Sequence, residues 1–119
     1  MAKLTVREVL RRLDSILPST APREDKLRWI TQAEHTVLRE IFGAADPLPP
    51  LGMEGELSVP SPYEDLYQHY AEAQIYYRSG EFDRYNCAAG LWNSLFTAYK
   101  DYVNRNGKGK QGVTALKLC

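Results

Sequence analysis

Between Ser61 and Asn104 the aromatic residues of this chain recur at helical spacing, on two segments separated by a Ser-Gly break. Tyr63, Tyr67, Tyr70 and Tyr77 step by four, three and seven; Tyr85, Ala88, Trp92, Leu95, Tyr99 and Tyr102 alternate three and four. That period places each set on one face of a helix. Ser79-Gly80 then lets the two helices fold back as an antiparallel hairpin. Tyrosine joins an apolar body to a hydroxyl that needs a partner, which suits a packed core and an interface alike. The expected seam comprises Tyr63, Tyr67, Tyr70, Tyr77, Tyr85, Trp92 and Tyr99, with Trp92 central and with Tyr70 and Tyr77 largely buried. It is expected to be the folding core, and it points to packing and assembly rather than catalysis.

Two further helices precede it. Thr5 and Glu8 have the spacing of a capping box, in which side chain and backbone satisfy each other across the first turn. Val6, Val9, Leu10, Leu13, Ile16 and Leu17 follow as an apolar stripe, and Pro18 ends the helix near Leu17. The second helix is expected from Thr20–Pro22 to about Phe42. Proline is tolerated in a first turn, and Glu24 and Asp25 suit the positive end of the helix dipole. Leu27, Ile30, Ala33, Val37, Leu38 and Ile41 form its stripe, with Trp29 slightly off it and Gly43 as the stop.

Pro47, Pro49, Pro50, Gly52, Gly55 and Pro60 exclude a helix over residues 44–60. Glu56 to Val59 alternates and reads as a short extended piece. A connection of this length is uncommon in a small helical domain. It carries Leu48, Leu51, Met53 and Leu57, so it is expected to pack over the helices or to act as an arm contacting a neighbouring subunit. The third helix should open on a second capping box, with Ser61 as cap, Pro62 first and Glu64 closing it, and should end near Arg78 with Gly80 in the left-handed turn. The fourth runs from Glu81 or Phe82 to Asn104 or Arg105, where Asn106-Gly107 stops it. The reading is an all-α, four-helix single domain over residues 1–106, with a flexible tail over 107–119 whose apolar end holds Leu116 and Leu118.

Composition narrows the function classes. Fifteen basic side chains balance fifteen acidic ones in 119 residues, so no bulk charge drives the chain to nucleic acid or membrane. Locally, Asp46, Glu54, Glu56, Glu64 and Asp65 make the linker acidic, while Lys108, Lys110 and Lys117 make the tail basic. Cys87 and Cys119 form neither a disulfide framework nor a metal site, and Cys87 reads as a small buried thiol made in a reducing compartment. The start leads directly into an amphipathic helix with no apolar signal core, and no segment has the run of apolar residues that a membrane span needs. His35 and His69 lack ligand-spaced companions. No glycine-rich phosphate loop and no C-x-x-C pair occurs. Glu8 and Asp14 dilute Arg7, Arg11 and Arg12 on the first helix, which therefore reads as a solvated face rather than a nucleic-acid contact. No catalytic, cofactor or metal-binding residue is expected.

The run from Leu57 through Ser58, Val59, Pro60, Ser61, Pro62, Tyr63, Glu64, Asp65 and Leu66 to Tyr67, then Tyr70 and Gln74, then Gly80 to Asn86, resembles the head–tail connector (adaptor, or head-completion) proteins of tailed bacteriophages and prophages. The opening Leu4 to Val9 and the closing Tyr102 to Arg105 are also similar, so the resemblance covers about residues 4 to 106. It implies an all-helical subunit made in the bacterial host cytoplasm and placed at the virion head–tail junction. Roughly twelve copies would close into a ring, with the portal protein and tail-side connector proteins as partners, no membrane and no cofactor. DNA would pass through the ring without being gripped, and a chain of zero net charge suits that passage. The proline-rich insert around Pro47 to Glu56 is longer than in that pattern, and the Gly-Lys tail after Asn106 has no counterpart in it. A peptide-binding module of tetratricopeptide type is the alternative, from the run Ala73, Tyr77, Gly80, Phe82 and Ala88; one hairpin is short of the three or so repeats that a solenoid needs. A small DNA-binding regulator would require a basic recognition helix, which the second helix does not supply.

Overall fold

The computed structural model describes residues 4–18, 21–45 and 47–108. It is all-α: α1 (Val6–Ile16), α2 (Arg23–Glu40), α3 (Leu66–Arg78) and α4 (Phe82–Val103), with α4 running on into a π-helical turn, Asn104–Lys108. Among the described residues the β-type pairing is a single antiparallel bridge between Thr5 and Glu56.

Local chemistry accounts for most of these boundaries. The Thr5 hydroxyl accepts from the Glu8 amide at 3.3 Å and opens α1; Val6, Val9, Leu10 and Leu13 form its buried face. Pro22 precedes α2, whose first turn holds Glu24 and Asp25 at the positive end of the dipole. Gly43 (φ 68°) turns the chain out, with the Ala44 amide returning to the Leu38 carbonyl at 2.9 Å. Gly80 (φ 77°) does the same between α3 and α4, and the Glu81 amide closes on the Tyr76 carbonyl at 2.9 Å. The stop expected at Asn106-Gly107 lies two residues early, since the π-helical turn continues to Lys108.

The start of α3 departs from expectation. The helix begins at Leu66, not Pro62, and the intended capping box does not form. Residues 60–65 make successive turns instead, with the Tyr63 amide on the Pro60 carbonyl and the Leu66 amide on the Tyr63 carbonyl; the Ser61-Pro62 peptide is cis. Two long-range contacts compete with the box. Glu64 turns away to meet Arg12 of α1 at 3.1 Å, and the Tyr63 ring lies against Tyr99 and Tyr102 of α4 at 5.4 and 5.7 Å.

The linker is a strap along its own helices. The Val6 amide donates to the Gly55 carbonyl (3.0 Å), the Arg7 amide to Met53 (2.9 Å) and the Leu57 amide to Leu4 (2.8 Å). Two of the amides that a first helical turn leaves unpaired are thus satisfied by the strap. Leu57 and Val59 are buried, and Leu51 and Met53 pack partly against the same core. The expectation that Leu57 reaches a neighbouring subunit is therefore corrected: its side chain is 2% exposed inside its own domain. Leu48 is half-buried. Leu116 and Leu118, with the rest of the expected flexible tail beyond Lys108, lie outside the described residues.

The core lies where α1, α2, the strap and the first turns of α3 converge. Val6, Val9, Ile30, Ala33, Val37, Leu57, Val59, Leu66 and Tyr67 make its main cluster, joined from α4 by Tyr99. A second cluster sets Trp29 among Leu13, Ala71 and Ile75, so Trp29 is an interior residue rather than an edge cover. On α4 the buried residues are Ala88 and Tyr99. Of the expected hairpin seam, Tyr67 and Tyr99 are buried in the main cluster, Tyr63, Tyr70 and Trp92 pack partly against it, and Tyr77 is exposed.

Candidate functional site

Two features stand out from the packing: a buried carboxylate and an exposed aromatic seam. Glu34 of α2 occupies the stripe formed by Ile30, Ala33 and Val37 and is 3% exposed. Three donors converge on it: the Tyr67 hydroxyl at 2.6 Å, the Ser58 hydroxyl at 2.5 Å and the Ser58 amide at 3.2 Å. Tyr67 in turn accepts from the Val59 amide at 3.1 Å. An acceptor-only carboxylate matched by three donors meets the condition for burying such a group. Burial pushes the Tyr67 hydroxyl well above the ordinary phenol range, and the neighbouring Glu34 and its hydrogen bond push the same way. The arrangement pins the strap to α2 and α3. Its members spend their hydrogen-bonding capacity on one another, so it is a latch rather than a reaction centre.

A second internal tie joins α1 to α2, where Lys26 (6% exposed) reaches Asp14 at 2.7 Å. Among the described residues no buried side-chain nitrogen or oxygen lacks a hydrogen-bond partner. Neither Glu34 nor Lys26 was identified from sequence. The available signal was a charged residue standing in register with an apolar stripe, since such a residue must find an internal partner.

The expected seam divides into three parts. Tyr67 is fully buried and belongs to the latch; Tyr99 is buried and stacks on Tyr102 at 6.2 Å. Tyr63, Tyr70, Tyr85 and Trp92 are half-buried. Tyr70 packs edge-on against Trp92 at 5.0 Å and donates to Gln32 at 3.2 Å, while Trp92 stacks on Phe96 at 5.2 Å. Tyr77, expected to be buried, is 59% exposed, its ring packed against Phe82 and Tyr85 at 5.7 and 5.4 Å. Burial also holds the Tyr70 and Tyr99 hydroxyls above the phenol range, with Tyr85 adding to the first and Glu34 and Tyr102 to the second.

The remaining chemistry-bearing residues stay apart. His35 contacts the Pro49 carbonyl at 2.9 Å, tying the linker to α2. His69 meets Glu72 at 3.2 Å; burial works against the Glu72 carboxylate, but hydrogen bonds from His69 and Gln68 outweigh it and hold the group below its ordinary value. Cys87 is exposed, contrary to the buried thiol expected, because it sits on the outer side of α4. No group of three or more metal-ligating side chains occurs among the described residues, and no helix there is long and apolar enough to cross a membrane. The described residues also line open clefts. One of about 380 Å³ is lined by Leu17, Pro18, Ala21, Ile75, Tyr76, Arg78, Ser79 and Glu81. Another, about 280 Å³, lies between Arg7, Leu10, Arg11, Asp14, Arg23 and Met53. Both are shallow.

Comparison with protein-family models, with curated proteins and with solved structures gives no match to this chain.

Proposed function

We propose that this chain is a structural subunit of the head–tail junction of a tailed bacteriophage or prophage. Roughly twelve copies form a closed ring that extends the DNA channel from the portal protein and presents a docking surface to the tail-side connector. The observation that carries the reading is the exposed apolar surface of the hairpin. Tyr77, Phe82, Leu91 and Tyr102 stand 42–59% exposed on its two packed helices. Side chains of this size and type, left in water on a rigid scaffold, are those that subunit interfaces bury. The resemblance to connector proteins over residues 4 to 106 supplies the class of assembly. Its most distinctive run, Leu57 to Tyr67, contains the Ser58 and Tyr67 partners of Glu34, so in this chain the motif maintains the scaffold on which the interface is displayed.

Native mass spectrometry and light scattering on the purified protein test the reading. A closed oligomer with a central opening in negative-stain images is expected. A monomer that binds extended peptides along the hairpin would favour the tetratricopeptide-like module instead.

A further inference from the structure

Apolar surface stands open beside the point where the described structure stops, at Lys108. Phe42 and Tyr102 are 49% and 42% exposed there. Their rings belong to one aromatic group: Phe42 meets Tyr99 edge-on at 6.3 Å, Tyr99 stacks on Tyr102 at 6.2 Å, and Tyr63 lies 5.7 Å from Tyr102. The last turn passes directly beside this patch, since the Asn106 side chain donates to the Tyr102 carbonyl at 2.9 Å. Glu40 and Asp101 stand beside Lys100 and Arg105 at this end, so neither sign of charge selects what covers it. An occupant must match the apolar side chains.

Residues 109–119 follow Lys108 in the chain, and their composition supplies such a match. Gly109 and Gly112 put no side-chain restriction on a reversal of the chain. Val113, Ala115, Leu116 and Leu118 then fall within six residues. Fully extended, at about 3.3 Å per residue, Val113 can stand about 17 Å from Lys108 and Leu118 about 33 Å. Tyr102 is only about 9 Å back along the helix, so the segment has length to spare for the patch of its own chain. The tip of the hairpin is a different case: Phe82 lies 26 residues before Lys108, about 39 Å along the helix and beyond that span. A tethered segment also meets the nearby patch at an effective concentration in the millimolar range, which no second copy matches in dilute solution.

We propose that residues 113–118 cover the Phe42–Tyr102 patch of their own chain in the free subunit and give it up when a neighbouring subunit takes their place. The covering contact stands on the patch and the segment alone. The displacement rests on the ring reading above, in which Tyr102 belongs to the surface that subunits bury, and it makes the tail a brake on assembly.

Hydroxyl-radical footprinting reads the contact on dilute protein that native mass spectrometry shows to be monomeric. Three proteins are compared: the full chain, a chain ending at Lys108, and the full chain carrying Leu116→Asp and Leu118→Asp. Removing the tail should raise the oxidation of Phe42 and Tyr102 about threefold or more, and the double substitution should do nearly the same. Tyr77 and Phe82, outside the tail's span, should react alike in all three. Unchanged oxidation of Phe42 and Tyr102 in either variant, or a rise that includes Tyr77 and Phe82, overturns the contact. Light scattering reads the brake: the shortened chain should assemble at about tenfold lower protein concentration than the full chain. Assembly at the same or a higher concentration overturns the brake, as does a full chain that shows no monomer at any dilution. If neither chain assembles at any concentration the ring reading falls, while the footprint still decides the contact.

Discussion

The inner half of the domain and the outer half of the hairpin both use tyrosine on α3, with opposite results. In the inner half Tyr67 is sealed under α2 and the strap, its hydroxyl shared between Glu34 and Val59. In the outer half, ten residues further along the same helix, Tyr77 packs against Phe82 and Tyr85 and is mostly in water. At 3.6 residues per turn the two lie about 80° apart around the helix, and they differ in what lies across from them. Early α3 is covered by α1, α2 and the strap; near its end Ile75 still packs with Leu13 and Trp29 and Arg78 still pairs with Asp25 of α2, while the Tyr77 ring lies toward α4. Helical spacing identifies the face that seeks contact; only the tertiary arrangement decides how much of that face is met.

If the inner half holds the fold together, damage there should dominate. Glu34→Ala removes the acceptor for the buried Tyr67 hydroxyl and for two donors of half-buried Ser58, so with about 1–3 kcal/mol for each stranded buried donor a loss of about 3 kcal/mol is expected in urea titration. A loss below about 1 kcal/mol would mean that water replaces the carboxylate and that the latch is dispensable. Leu57→Ala should cost about 3 kcal/mol, as for a buried leucine in a packed core. A near-neutral outcome would return the strap to the status of a free arm. Trp92→Ala should cost about 2 kcal/mol, less than a sealed aromatic, because its contacts with Tyr70 and Phe96 are made on a half-exposed face.

Alkali sharpens the contrast by another route. Burial holds Tyr67 protonated in the folded chain above the pH at which an unfolded tyrosine ionises, about 10. Above that pH the unfolded chain binds fewer protons than the folded one, so stability falls as pH rises, by up to about 1.4 kcal/mol per pH unit for this group. Its contribution is complete below about pH 10. Tyr67→Phe starts from lower stability, having left Glu34 and the Val59 amide short of a partner. Between pH 9 and 11 its stability should nevertheless decline less than that of the wild type; parallel decline would place the alkaline sensitivity elsewhere. The smallest expected effect is Tyr77→Ala, about 0.5 kcal/mol or less for an exposed position. A cost like that of a buried aromatic would show that the tip contributes to the core after all.

Much of the architecture is legible in the residues, and the failures share a cause. Thr5, Gly43 and Gly80 act through their own backbone neighbourhoods, so α1, the end of α2 and the hairpin turn follow from local chemistry. The Ser61–Glu64 box is equally local in design, but Glu64 is drawn to Arg12, 52 residues away in the chain. The latch is the same problem on a larger scale, because Glu34 finds Ser58 and Tyr67 at separations of 24 and 33 residues. Leu57, expected to contact a neighbouring subunit, is claimed by a core formed from distant segments, whereas the exposed surface on α4, which is not among the expected contacts, follows from a helix whose apolar positions outnumber what one neighbouring helix can cover.

Native-state hydrogen exchange measured on the purified protein tests the inner core against the outer flank most directly. The account predicts that amides of Ile30 to Val37 in α2 and of Ala71 to Ile75 in α3 exchange only through global unfolding, and that those of Phe82 to Gly90 in α4 open at clearly lower free energy. Equal protection of both, or α4 as the most protected element, would contradict it and restore the aromatic hairpin as the centre of the fold.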